Sequence, residues 1–263
     1  MSTVSTAERS GFQEDGYLIV RNVLEQTDVD RMLEFSNVDP QLKADTKNES
    51  NFEGEGVQTR LVYREGLSED IYSAYGRSTR IVDRVEGICE ERVRHYYHLN
   101  MQKEPNTGGW QYHQDYGYHY NEFLYPRFVS VMIALNAATR ENGYLKVVRG
   151  SHKLGLLEHE MSGSQLIANK KRVALALQEM EEVHCEVEPG GALFFDGNIL
   201  HASDANLSDK PRWSMIYAYV PESNTFVLDD PHPGLRDVVA ALDETGIDAS
   251  ASRHWAAIQA AIA

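Results

Sequence analysis

The stretch GGWQYHQDYGYHY, residues 108–120, sets an imidazole and a carboxylate, His113 and Asp115, on either side of one glutamine. In an extended chain, residues i and i+2 project to the same face. His113 and Asp115 then point together, and Gln114 points away. Two readings compete. One is a strand whose polar residues merely meet water. The other is part of a facial metal site, in which two histidines and a carboxylate hold non-haem iron(II). The second histidine must then come from elsewhere in the chain. Among the 10 histidines, His201 is the candidate: it closes the strand-and-turn pattern GGALFFDGNILHAS, 86 positions after Asp115. That length holds several strands and can bring His201 back opposite His113. His-x-Asp alone is a weak signal. Joined to His201 and to Arg212, eleven positions later, it becomes far more specific.

The arginine extends the chemistry. A metal held by three protein ligands leaves about three positions open. A 2-oxo acid fills two of them and O2 the third. The distal carboxylate of that acid then needs a cation, and the guanidinium fork matches a carboxylate with paired hydrogen bonds. Arg212 opens RWSMIYAYV, whose alternation sets Ser214, Ile216 and Ala218 on its own side. Those small or apolar neighbours suit a pocket wall. Taken without the three ligands, Arg212 reads as a surface residue at a strand start.

These residues need elements to position them. GYLIVRNVL (16–24) reads as an early strand, and EQTDVDRMLEF as a helix with Thr27 or Asp28 as N-cap. Residues 37–58, rich in Asn, Glu and Gly, read as a long exposed loop and a lid over a site. Residues 78–91 place Ile81, Val82, Val85, Ile88 and Cys89 on one helical face. RVRHYYHLNMQK (92–103) then alternates, with Val93, His95, Tyr97, Leu99 and Met101 on one side and Tyr96, His98, Asn100 and Gln102 on the other. Strands follow at 127–136, 144–150, 181–197 and 212–220, with a turn at Pro189-Gly190-Gly191 and a surface helix at 165–180. Helices first and then a run of strands predict a mainly β fold, an antiparallel sandwich or barrel with helices packed outside.

Composition narrows the classes. The 263 residues are 42% hydrophobic, enough for a sizeable core. A net charge of −15 argues against nucleic-acid or anionic-membrane binding through a basic surface. The two cysteines, Cys89 and Cys185, lack metal-binding spacing and read as free thiols. The N-terminus lacks a secretory pattern, and no apolar run approaches the roughly 20 residues that span a bilayer. The expectation is a cytoplasmic protein acting on a small molecule, and no segment specifies an oligomeric state.

WQYHQDYGYHY, ENGYLKVVRGSHKLG, EPGGALFFDGNILHAS and KPRWSMIYAYV together resemble the phytanoyl-CoA dioxygenase-like family of Fe(II)/2-oxoglutarate oxygenases, which includes the ectoine hydroxylases. The resemblance runs from about residue 10 to about residue 225. It implies a double-stranded β-helix (jelly-roll, cupin-like) core in a single domain over 1–263, with residues 225–263 as a C-terminal extension. It implies iron on His113, Asp115 and His201, and the 2-oxoglutarate carboxylate on Arg212 and Ser203. Asn100, Gln102 and Lys103 stand where such proteins often place another cosubstrate contact. His98 shares a face with Asn100 and is a candidate pocket residue, while His152 of Gly-Ser-His is expected to fix a turn.

This chain departs from the pattern at three places. Gly191 stands where the family usually has Asp, and Arg149 precedes Gly-Ser-His where Pro is common. His119 stands where Trp is common, six positions after His113. It either shapes the substrate or cosubstrate pocket or packs among the aromatics. The implied activity is hydroxylation of an unactivated C–H bond of an amino-acid-like or natural-product metabolite, consuming O2 and giving succinate and CO2. A carboxylate at position 115 argues against halogenation, whose enzymes keep a small residue there. Two other classes remain open: a cupin-like metal isomerase or hydrolase that needs no 2-oxoglutarate, and a non-catalytic binding module. Arg212 and Ser203 weigh against the first, and the intact ligand set against the second.

Overall fold

The computed structural model describes residues 4–50, 58–228, 235 and 237–263. The chain opens with α1 (Thr6–Asp15), β1 (Tyr17–Val20), α2 (Gln26–Val38), α3 (Pro40–Asp45), β2 (Lys47–Ser50) and β3 (Gln58–Glu65). Next come α4 (Ile71–Gly76), α5 (Thr79–Cys89), β4 (Val93–Lys103), β5 (Trp110–His113), α6 (Asp115–His119), β6 (Val129–Ala134) and β7 (Leu145–Val148). The last part holds β8 (His159–Ser162), β9 (Gln165–Ala168), α7 (Lys170–Glu179), β10 (Glu182–Cys185), β11 (Ala192–Asp196), β12 (His201–Ser203), β13 (Arg212–Pro221) and α8 (Glu244–Ile262).

Two antiparallel sheets form the body. The larger has the order β1-β11-β6-β13-β4-β3-β2 and the smaller β10-β7-β12-β5. Side-chain alternation divides the core between them. Val131, Ile133, Phe194, Met215 and Tyr217 meet helix residues such as Val29, Met32, Ile71, Tyr75 and Val85. Their sequence neighbours Met132, Leu193 and Phe195 turn the other way and meet Leu145 and Val147 of β7. The helices thus cover the outer face of the large sheet, and the inner face is left to line the space between sheets. This is the expected jelly-roll arrangement of two facing antiparallel sheets.

Several local expectations change. Glu25, not Thr27 or Asp28, caps α2, and Asp28 returns a bond to the Glu25 N–H in a capping box. The Asp28 carboxylate is further engaged by Tyr75 Oη at 2.8 Å and Arg80 at 2.6 Å, so it ties two more helices to α2. Residues 37–58 are not one loop. Asp39 caps α3 through the N–H groups of Gln41 and Leu42, Pro40 starts that helix, and β2 pairs with β3. Residues 51–57 of the expected lid lie outside the described residues. Residues 165–180 divide into β9, paired with β8, and α7. The C-terminal extension packs onto the body through Ile247, Ala251 and Ile258 of α8, with Trp255 against Phe35 at 5.0 Å. Cys89 and Cys185 are both free. No helix among the described residues is long and apolar enough to cross a membrane.

The alternation expected along β4 breaks at one place. Ala218 pairs with Tyr97 but Tyr219 pairs with His95, so Tyr96 is an extra, bulged residue. The period therefore inverts there. His95 joins His98 on the helix-facing side, their rings 5.3 Å apart, while Tyr96 and Tyr97 both face inward with Ala218 and Val220.

The buried His98 has a measurable consequence. Burial pushes its imidazole down from 6.5 to about 4, although the Asp70 carboxylate favours the charged form. Below about pH 6.5 the unfolded chain binds a proton that the folded chain refuses. This contribution to stability is present above that pH and is lost as the pH falls towards 4. His98→Leu should flatten the dependence by on the order of 2 kcal/mol between pH 7 and 4.5. Urea unfolding midpoints of both chains across that range check it, and parallel slopes would exclude His98 as the cause.

Candidate active site

His113 ends β5 and His201 begins β12, and the two are directly paired across the antiparallel ladder. Their rings lie 4.1 Å apart. The strand does not run on through Asp115, as its sequence suggested, because Asp115 starts α6. Gln114 between them is still extended, at φ −116° and ψ 131°, so Asp115 keeps the face of His113. Gln114 does point away, but into protein and not into water. Its Nε2 donates to the Asn198 carbonyl at 2.7 Å and the Gly155 carbonyl at 2.9 Å, and its Oε1 accepts from Leu157 N–H at 2.8 Å. Its backbone N–H donates to His159 Nε2 at 3.1 Å. The residue between the two candidate ligands is thereby fixed at both ends.

Asp115 Oδ1 lies 3.5 Å from His113 Nε2 and 3.4 Å from His201 Nε2. One ligand atom from each of the three residues falls within 4.8 Å of the others. The opposite ring nitrogens fix the tautomers. His113 Nδ1 is 2.8 Å from the Gln111 carbonyl and His201 Nδ1 3.1 Å from the Ile199 carbonyl. A carbonyl only accepts, so each Nδ1 carries a proton and each Nε2 is the ring nitrogen turned to the shared point. Ser130 Oγ donates to Asp115 Oδ2 at 2.7 Å, leaving Oδ1 for the same point in space. Burial alone raises the Asp115 carboxyl, but the His201 and His113 imidazoles outweigh it and hold the group well below the usual carboxylate range. Burial, helped by His201, pushes the His113 imidazole down. Two imidazoles and one carboxylate on one face are the donor set that suits a non-haem iron(II) centre.

The triad opens into a cavity of about 370 Å³ between the two sheets, which Ser203, Arg212, Ser214, Phe195 and Ile216 also line. Arg212 is paired across the ladder with Lys103, Ser214 with Met101 and Ile216 with Leu99, which fixes these residues on the inner face. Arg212 is 4% exposed, and its Nε and Nη1 have no hydrogen-bond partner among the described residues. Burial pushes this guanidinium down to about 10. Ser203 is held from behind by Lys103, whose Nζ donates to Ser203 Oγ at 3.1 Å, to the Gly143 carbonyl at 3.2 Å and to the Asp204 carbonyl. Lys103 supports this wall without reaching the cavity lining, and burial followed by the Arg212 charge lowers its ammonium well below the ordinary range. Glycine is needed at 109, where a Cβ would come within 2.1 Å of the Ser203 carbonyl oxygen.

Asn100 and Gln102 take no part in this cavity. They pair with Met215 and Trp213 on the opposite face of the sheet, and Asn100 Nδ2 reaches Ser36 Oγ of α2 at 3.4 Å. His98 faces the same way, beside Tyr217. The alternation that turns Met101 and Lys103 inward turns these three outward. His119, the last residue of α6, does line the cavity. His152 lies in the turn 151–154, with its Nε2 3.1 Å from the Gln13 carbonyl. Four contributors escaped the sequence reading: Ser130 behind Asp115, His159 behind Gln114, and Lys47 and Tyr63 on the cavity wall. Only Ser130 carried any signal, as a lone small polar residue in an apolar strand.

Residues 12–214 match the family described as Phytanoyl-CoA dioxygenase. The ectoine dioxygenase of Streptomyces coelicolor is 26% identical over 245 residues, covering 85% of this chain and 80% of that relative. Among solved structures, EctD from S. alaskensis with 2-oxoglutarate and 5-hydroxyectoine has a TM-score of 0.74 at 19% identity, covering 91% of this chain and 88% of that one. SnoN, a non-haem α-ketoglutarate-dependent epimerase from nogalamycin biosynthesis, has a TM-score of 0.67 at 18% identity, covering 89% of each chain. The match spans most of the chain and contains both His-x-Asp and the paired His201, so this protein belongs to the phytanoyl-CoA dioxygenase family of non-haem iron, 2-oxoglutarate-dependent oxygenases.

Proposed function

We propose that the chain is a hydroxylase that inserts one oxygen atom of O2 into an unactivated C–H bond of a small-molecule metabolite, with 2-oxoglutarate converted to succinate and CO2. His113, Asp115 and His201 would hold iron(II), and Arg212 with Ser203 would bind the distal carboxylate of 2-oxoglutarate. The observation that carries the reading is Arg212. A buried cation without a partner is costly, by several kcal/mol in real proteins. Its unpaired Nε and Nη1, in the same cavity as the triad, are what a carboxylate would satisfy.

Iron and 2-oxoglutarate, when bound, supply the oxidising chemistry. The protein supplies the rest. Ser130 and the Gln111 and Ile199 carbonyls orient the three ligands. Lys103 orients Ser203. Leu99, Met132, Phe195 and Ile216 form an apolar wall that excludes water from the reacting position. The small-molecule substrate class agrees with the relatives, one of which has been solved with 5-hydroxyectoine.

Anaerobic titration of the metal-free protein with iron(II) and 2-oxoglutarate tests the reading. A visible metal-to-ligand charge-transfer band should appear, and succinate should form once O2 and a turned-over metabolite are supplied. Iron binding without the band would favour the isomerase or hydrolase reading. No iron binding would favour the non-catalytic module.

A further inference from the structure

The bulge in β4 places a second tyrosine behind the cavity. Tyr97 lines the cavity wall, while Tyr96 is 1% exposed and packs among Tyr97, Phe123 and Phe128. The Tyr96 hydroxyl meets Glu122 Oε2, and it also lies 2.6 Å from His119 Nδ1. Glu122 Oε1 is 3.4 Å from the same nitrogen. A carboxylate only accepts, so the phenol proton goes to Glu122. The phenol oxygen is then left to accept Nδ1–H from His119. Both partners of Nδ1 stand outside the cavity lining, whereas His119 is part of it. The nitrogen left for a ligand is Nε2, which in the singly protonated ring is an acceptor.

The surroundings say what kind of donor it would meet. Leu61, Tyr63, Tyr97, Trp110 and Tyr118 share the lining, so the space suits a flat or ring-shaped body. Lys47 also lines the cavity and disfavours a cationic donor such as an ammonium group. Among neutral donors, a hydroxyl is the simplest that such a nitrogen can read.

Resting on the oxygenase reading above, we infer that His119 determines substrate specificity: its Nε2 accepts a hydrogen bond from a hydroxyl group on a ring-shaped substrate, and Tyr96 and Glu122 hold the ring by its Nδ1. A site built to bond a hydroxyl rejects the analogue lacking one, because its own buried polar group is then left unpaired. His119 is in this way a reader of the substrate, with Tyr96 and Glu122 as positioning residues.

Phenol, anisole and benzoate are sufficient probes. Their dissociation constants are measured by equilibrium dialysis, without O2, on protein loaded with iron(II) and 2-oxoglutarate. Wild type should bind phenol about fivefold more tightly than anisole, the size of one neutral hydrogen bond. His119→Phe should bring the two together. Tyr96→Phe, which keeps His119 but removes one tie on Nδ1, should narrow the gap. The charge-transfer band in each variant reports whether the iron site survived, and a merely structural role for His119 would lower phenol and anisole binding alike. Equal affinities in wild type, a phenol preference that persists in both variants, or benzoate as the tightest ligand would each overturn the inference. A wild type with no band sinks the oxygenase reading and this inference with it. A band without phenol preference sinks this inference alone.

Discussion

Asp115→Ala loses iron(II) binding and turnover together, and this is the largest single effect the site should show. Losing a partner that only orients a ligand costs about 10–100-fold in metal affinity. Losing a ligand itself should cost more than that upper figure. Asp115 is the one anionic member of the triad, and its Oδ1 is the point on which both Nε2 atoms converge at 3.4 and 3.5 Å. Alanine leaves two imidazoles with rings 4.1 Å apart and takes away the Oδ2 that accepts from the Ser130 hydroxyl. Dialysis against buffered iron(II), with circular dichroism to confirm folding, measures the loss. Wild-type iron affinity in a folded Asp115→Ala protein would mean that iron sits elsewhere.

Arg212→Ala should weaken 2-oxoglutarate binding by on the order of a hundredfold or more, since truncating one member of a buried charge pair costs about 2–5 kcal/mol. Iron binding without 2-oxoglutarate should be little changed, because Arg212 touches none of the three ligands. Arg212→Lys should recover only part of the loss, since a point charge cannot reproduce the paired geometry of the fork. The effect on the empty protein has the opposite sign. Arg212 is 4% exposed with two unpaired nitrogens, so Arg212→Met removes an uncompensated buried charge and should raise the urea midpoint. One titration of the charge-transfer band against 2-oxoglutarate and one unfolding curve per variant check both halves. Unchanged 2-oxoglutarate affinity in Arg212→Ala would remove the cosubstrate role of this residue.

The triad was legible because it depends on short-range periodicity and one long return. Two residues apart in extended chain share a face, and that held through Gln114 even though β5 had already ended. Arg212, Ser214 and Ile216 likewise share a wall as their alternation predicts. What alternation does not say is which face meets the cavity. Asn100 and Gln102 share a face with each other, but it is the face that packs on the helices. A single inserted residue reverses the answer further along, and at Tyr96 it did so without any glycine or proline to mark it. Short polar elements were the other blind spot. β2 and α3 carry little apolar periodicity, and partners distant in sequence define them more than their own composition does. Ser130 and His159 act through one hydrogen bond each, to residues brought near only by the fold.

The pairing of His113 with His201 also bears on how firmly one margin of the smaller sheet is held. β5 is an edge of the smaller sheet, with β12 as its one neighbouring strand among the described residues. Its Gln111 N–H donates at 3.1 Å to Oε1 of Gln165, the first residue of β9, and the Gln111 Nε2 donates to Ser162 Oγ of β8 at 3.1 Å, so side chains of the β8–β9 hairpin cover this edge. Covering an edge in this way keeps foreign strands from adding to it. An ion held by both histidines would tie that edge crosswise to the strand inside it. Iron(II) loading should then slow amide exchange along β5, because two neighbouring strands would have to separate together.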